Sequence, residues 1–191
     1  MWCLEVKENI QSDPLNKSVP HAIDIGCGWH KQKDAIGIDL RDYDPYLKRH
    51  HNHNIIASAD HIPFRDASFA KAYCFEVLEH CYDPKGVLDE IHRVLKKEGI
   101  LLLSIPNPYW IARFIRFCFG DYADYGAREH IFGWTYAEID SLVSLVGFTV
   151  CNHYYMSWMY RVLKRRWFKR IIARYCRRLT NYSLMLVLRK E

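Results

Sequence analysis

No stretch of this 191-residue chain approaches the roughly 18 uninterrupted apolar residues that a membrane-spanning helix needs. Its first residues, MWCLEVKENIQSDP, lack the basic start and apolar run of a secretory signal, so a chain without a cleaved leader is expected. The seven cysteines, at positions 3, 27, 74, 81, 118, 151 and 176, never fall at C-x-x-C spacing. An odd count without clustering excludes a disulfide framework and points to reduced thiols in the cytoplasm. Internal repeats and low-complexity tracts are missing too. One stretch has no acid at all: Arg161–Arg178 holds nine Lys or Arg, against a formal net charge of +5 for the whole chain. The body of the protein is therefore mildly acidic, and a single segment makes it basic.

What is present is a domain-sized chain, half of it apolar, which excludes disorder and supports one core. The informative stretch is His21–Leu40. An apolar run ends in Asp24-Ile25, breaks at Gly26-Cys27-Gly28, and is followed by a second run ending in Asp39. Two β-like runs around a glycine turn read as the start of a parallel sheet with a ligand at its C-terminal edge. Asp39, at a strand tip, suits a ribose diol. Only ten residues separate Gly28 from Asp39, which leaves Trp29–Asp34 too short for the usual crossover helix. The third glycine of a G-x-G-x-x-G fingerprint would fall at Lys31. A dinucleotide pyrophosphate wants a full helix N-terminus, so a dehydrogenase is disfavoured. A nucleoside without phosphate fits the short connection.

Further stretches follow in a set order: Ala59-Asp60-His61-Ile62-Pro63-Phe64, Ser68-Phe69, Glu76-Val77-Leu78-Glu79-His80, Glu90-Ile91-His92-Arg93-Val94-Leu95-Lys96, Ser104-Ile105-Pro106-Asn107 and Gly147-Phe148. With the glycine turn they cover roughly residues 21–150. The ordered set resembles a class I S-adenosylmethionine-dependent methyltransferase of the type 11 group, with two departures: the shortened first helix, and Ala70 where the family usually has an acid. The resemblance implies an α/β fold, a three-layer Rossmann-like sandwich whose mostly parallel seven-stranded sheet ends in an antiparallel strand. It implies S-adenosylmethionine as cofactor, with Asp24, Gly26, Cys27, Gly28, Asp39, Leu40, Asp60, His61 and Glu76 around it. Asp60 would accept the adenine amino group and the His61 N–H would meet a ring nitrogen; an Asx-type turn before Pro63 is the other reading. Cys27 reads as a small packing residue in the turn.

Along the chain, Asp83-Pro84 should open a helix as N-cap and first residue, closed by Gly99, with Val87, Leu88, Ile91, Val94 and Leu95 on its apolar face. Ile100–Ile105 reads as a buried parallel strand. Thr135 and Glu138 make a capping box for a helix through Val146, and strands are expected near Thr149–Tyr155 and Tyr182–Leu188. Arg41–Asn54 reads as a polar loop or short helix. Trp110–Tyr125 reads as a lid or acceptor wall, or as an ordinary amphipathic helix.

Methyl transfer needs alignment first, and a base only if the acceptor must lose a proton. The candidates are His80, His130, Tyr109 and Tyr125, and His130 is the one assigned; a histidine before a helix can equally be a structural hydrogen bonder. His80 reads as a loop anchor. Of Lys31 and Lys33, one could pair with the cofactor carboxylate, and both could simply be solvated. His50, His51 and His53 read as a polar loop, so no metal is expected.

The whole chain, 1–191, reads as one domain with a basic amphipathic helical insertion at about 157–181 in the final hairpin. Apolar residues from Trp158 to Leu179 recur at three- and four-residue spacing with the basic residues on other faces. A helix of ~20 residues is about 30 Å long and would overhang strands of ~20 Å. It could pack on the domain or lie on an anionic membrane at the cytoplasmic face; following a nucleic-acid backbone suits its tryptophans less. The expected function is methyl transfer to a small-molecule or lipid-linked acceptor. The alternatives are an RNA or protein methyltransferase, or a cofactor-binding scaffold without transfer.

Overall fold

The computed structural model of the chain describes residues 21–41, 43–44, 49–110, 118, 130–156 and 182–191. The lid stretch from 111 onward except Cys118, with Tyr125, and the basic stretch 157–181 lie outside them, as does the N-terminal 1–20.

Continuous apolar runs without helical periodicity become the inner strands. β1 (Ala22–Ile25) is buried along its whole length, flanked on both sides by parallel partners. β2 (Ala35–Asp39) and β6 (Phe69–Phe75) are those partners, with Asp24 opposite Gly37 on one side and Tyr73 on the other. β3 (Tyr43–Asp44) and β4 (Arg49–His50) form a two-stranded ladder where a polar loop or short helix was expected. β5 (Ile55–Ile56) adds to β2. β7 (Leu95–Pro106), β8 (Phe148–Met156) and β9 (Ser183–Lys190) complete one seven-stranded sheet of order β5-β2-β1-β6-β7-β9-β8. β9 runs antiparallel to both neighbours, and the remaining pairings are parallel. This is the sheet the resemblance implies.

Two helices are described. α1 (Pro84–Val94) starts as expected: Asp83 Oδ1 accepts the Gly86 N–H at 2.9 Å, with Pro84 in the first turn. Val87, Leu88, Ile91 and Val94 are its buried face. α2 (Tyr136–Val146) opens on the complete Thr135–Glu138 capping box and closes on Gly147 at φ 97°. The helices lie side by side; the opposite layer of the expected sandwich concerns residues outside those described.

The expected end of α1 at Gly99 is corrected. The helix stops at Val94, because Leu95 is already extended, fully buried and paired with Phe69. Lys190, from the far end of the chain, donates to the carbonyls of His92 (2.6 Å) and Leu95 (2.8 Å), closing the helix C-terminus with a cation. Gly99 instead serves a tight excursion in β7: Glu98 is left-handed, and a Cβ at Gly99 would meet the Lys96 carbonyl at 2.7 Å. The register slips there from Phe69–Leu95 to Lys71–Ile100, at the family-atypical Ala70, whose N–H donates to His21 O. Among the described residues, no helix is long and apolar enough to cross a membrane.

Candidate active site

The site grows from the turn between β1 and β2. Gly26 and Gly28 both have left-handed φ, 62° and 51°. With no helix between Gly28 and Ala35, the turn amides find other partners. Gly26 and Cys27 donate to Ile38 O at 2.9 and 3.2 Å, and Gly28 donates to the Asp39 carboxylate at 2.8 Å. The Gln32 N–H donates to Asp24 at 2.7 Å, so a strand acid caps the loop that stands where a helix would. In a dinucleotide fold these amides would converge on a pyrophosphate. Here they are engaged within the chain, and one already holds a carboxylate.

Asp24 is only 3% exposed, and burial raises its pKa from 3.8 to about 6, opposed by the Gln32 N–H and by Lys31. An acid whose pKa rises on folding lowers stability once pH exceeds the folded value, and costs nothing below the unfolded one. Asp24→Asn is therefore expected to stabilise the fold at pH 8 by about 3 kcal/mol, with the gain gone at pH 4. Urea unfolding at the two pH values measures it.

Asp39 keeps one oxygen on Gly28 while the other accepts the Arg41 N–H (3.3 Å) and lies 3.1 Å from His51 Nδ1. A carboxylate has about four acceptor positions, so capacity remains for a diol. Leu40, beside it, is 65% exposed, and Ile56 of β5, which pairs with Asp39, is exposed as well. The Cys27 thiol is pushed up to about 12 by burial and by the charges of Asp24 and Asp39, which makes it a packing group and no nucleophile. Lys31 turns away from the cleft: its ammonium donates to Asn54 Oδ1 at 2.8 Å and its stem covers Gly37.

The end of β6 closes over the turn. Glu76 takes the left-handed region (φ 55°), uncommon for a residue with a side chain and a form of strain that concentrates at functional sites. Its carboxylate accepts the Ser104 Oγ–H at 2.6 Å. Val77 then packs on Gly26, where an added Cβ would lie 2.4 Å from Val77 Cγ2. By contrast, a Cβ at Gly28 would meet no atom of the described residues within 4 Å. Among the described residues the space beside Gly28 is open and bordered by Asp39, room that a ligand could fill. Three carboxylates, Asp24, Asp39 and Glu76, stand at the C-terminal ends of neighbouring strands, a setting for a cationic or neutral nucleoside and against a phosphate. An adenosyl sulfonium fits it.

Asp60 is exposed, accepts from Ser58 Oγ and lies 3.2 Å from His61 Nδ1; the Ser58 and His61 bonds hold its pKa below the usual range. The His61 N–H, assigned by resemblance to a ring nitrogen, donates to Ser58 O at 3.1 Å in a turn. The loop after it is clamped by two residues the sequence reading passed over. Arg93 donates to the carbonyls of Ile62 (2.9 Å) and Phe64 (2.8 Å) and pairs with Asp66 and Glu90, while Glu90 accepts the Ile62 N–H. The Glu90–Arg93 spacing on α1 was the available signal.

His130 stands beside the β6 loop. The N–H groups of Ile131 and Phe132 both donate to Glu79 O, and the His80 and His130 rings meet edge-on at 4.6 Å between centroids. Glu79 is fully buried. Tyr109 is half exposed after β7.

Residues 23–103 match the family model described as a methyltransferase domain. An uncharacterised protein of Methanocaldococcus jannaschii is 34% identical over 101 residues, 48% of this chain and 40% of its own length. A ubiquinone biosynthesis O-methyltransferase of Idiomarina loihiensis is 26% identical over 131 residues, 59% of this chain and 49% of its own. The chain thus spans about half the length, or less, of such curated relatives. The crystal structure of an S-adenosylmethionine-dependent methyltransferase from Archaeoglobus fulgidus superposes with a TM-score of 0.65 at 16% identity, covering 98% of this chain and 92% of that one. That likeness is one of fold.

Proposed function

We propose, from the premise that residues 23–103 belong to the methyltransferase domain family and that the sheet is that of the class I S-adenosylmethionine-dependent enzymes, that this protein transfers a methyl group to a small-molecule acceptor. The observation that carries the reading is the β1–β2 turn, whose amides are engaged, one of them on the Asp39 carboxylate, and which is open at Gly28 among the described residues. S-adenosylmethionine supplies a methyl group on a cationic sulfur, ready for in-line displacement. Asp39, flanked by exposed Leu40, is assigned to the ribose hydroxyls. Gly26, Cys27 and Gly28 give close backbone approach, and Asp24 and Glu76 line the amino-acid end with negative charge. Asp60 and His61 are assigned to the adenine side, on a loop that Arg93 holds in place.

The chain's part in the chemistry is to orient the acceptor and exclude water, which can remove much of the barrier. His130, held against His80 and the Glu79 backbone, is assigned to the acceptor's proton. His130→Ala is expected to lower turnover on the order of 100-fold, the low end for acid–base catalysis, without weakening donor binding. Methyl transfer followed by mass spectrometry across a panel of hydroxylated and amine acceptors tests both points. Turnover by the variant equal to wild type at every pH removes His130 from the chemistry, and no transfer to any acceptor class favours a binding scaffold.

A lipid-linked acceptor at a membrane surface is the second reading, favoured by the nine Lys or Arg between Arg161 and Arg178. Each basic residue near an anionic leaflet contributes about 1 kcal/mol, so half of them would hold the protein there. In this reading all 191 residues make one cytoplasmic domain, with 157–181 inserted in the final hairpin.

A further inference from the structure

We infer that Glu79, His80 and His130 form a binding site for one divalent transition-metal ion. Each offers one ligand atom, and the three atoms all lie within 4.8 Å of one another. Donors around a single ion with bonds near 2.1 Å sit about 3–4 Å apart, so small side-chain rotations close the set. The placement is built by the backbone. Glu79 and His80 ride on the short 3-10 turn Leu78–His80, tied by the His80 N–H to Val77 O at 3.0 Å. The segment carrying His130 is pinned to the same turn by two N–H bonds onto Glu79 O, at 2.7 and 3.3 Å. Residues some fifty positions apart are thus locked at one spot of the sheet's C-terminal edge.

The chemistry of the donors selects the ion. Two imidazoles and one carboxylate suit Zn²⁺, Co²⁺ or Fe²⁺, whereas Mg²⁺ and Ca²⁺ favour all-oxygen sites. Three protein ligands leave positions open. Glu79 is fully buried while His80 is exposed, so the site has a closed floor and an open mouth. An ion there would make an acceptor hydroxyl more acidic, its proton passing to solvent, with His130 serving as a ligand in place of a base. The inference thus recasts the role proposed for His130 above, but it stands on these three side chains alone. The other histidine-rich stretch is no rival: among the described residues, His50, His51 and His53 do not gather into a three-ligand group, and His51 faces Asp39.

The test is titration of the full chain with Co²⁺, read by its visible absorption bands, and with Zn²⁺ and Mg²⁺ by calorimetry. One Co²⁺ or Zn²⁺ per chain is expected, with Mg²⁺ far weaker. Outer-shell changes at metal sites already cost 10–100-fold, so Glu79→Gln, His80→Ala and His130→Ala should each weaken binding by at least about tenfold. The double variant His50→Ala/His53→Ala should bind as wild type does. Thermal unfolding checks each fold; if the buried Glu79→Gln fails to fold, the two histidine variants decide. No transition-metal binding by wild type, or unchanged binding in His80→Ala and His130→Ala, overturns the inference. No methyl donor is used, so donor binding without metal binding, or the reverse, tells apart the failure of this site and of the transferase reading.

Discussion

Alanine at Gly26 is expected to remove a large share of the protein's stability, while alanine at Gly28, two residues on, leaves it folded with weakened binding of the proposed methyl donor. Both glycines are left-handed, and alanine there costs about 1–2 kcal/mol. What differs is the surroundings. A Cβ at Gly26 would stand 2.4 Å from Val77 Cγ2 and 3.3 Å from Cγ1. Val77 is not a free end that can swing aside, since its carbonyl accepts from His80 N and its neighbours are Glu76 in a strained conformation and buried Leu78. Overpacking of this kind adds about 1–3 kcal/mol, for a total of about 2–5 kcal/mol against a domain stability of about 5–15. Val77→Ala in the same chain should return part of the loss. At Gly28 the Cβ enters space open among the described residues. The melting temperature should fall by only about 2–8 °C, yet donor affinity should drop at least tenfold, because that space is the one proposed for the donor. Urea unfolding and donor calorimetry on the two variants separate the effects; equal behaviour would mean that the open space beside Gly28 is not the ligand's.

Asp39→Ala is expected to weaken donor binding by at least about 100-fold. Hydrogen bonds to a charged partner contribute about 1.5–3 kcal/mol each, and a diol makes two. A loss near 3 kcal/mol is two factors of ten. Asp39→Asn keeps an acceptor for the Gly28 N–H and so maintains the turn, while giving up the charge. It should fall between wild type and alanine. Were Asn to bind donor as wild type does, the charge at this position would be irrelevant to recognition.

Much of this was legible in the sequence because the signals are local. Two glycines between apolar runs, each run carrying an acid, define the turn and its flanking strands. Asp83-Pro84 and Thr135–Glu138 name their helix starts because capping is settled within four residues. The missing helix after Gly28 followed from counting residues. What escaped depends on contacts between distant segments. His51 reaches Asp39 only because the β3–β4 ladder intervenes between them, and a run of histidines in a polar loop does not announce it. Lys190 closes α1 from the last strand, so the helix ends five residues before the glycine that seemed to stop it. Arg93 looked like one charge on a helix face and proves to be the clamp on the Asp60 loop. Glu79, His80 and His130 meet because the 3-10 turn and the irregular segment before α2 share backbone hydrogen bonds.

The claim on which all else rests is that the cleft beside Gly28 takes an adenosyl ligand without phosphate. Isothermal titration of the full chain with S-adenosylhomocysteine, set against NAD under identical conditions, tests it most directly. The account predicts saturable binding of one S-adenosylhomocysteine per chain, lost in Asp39→Ala, and no heat with NAD. Binding of NAD with equal or greater affinity, or none of S-adenosylhomocysteine, would contradict it.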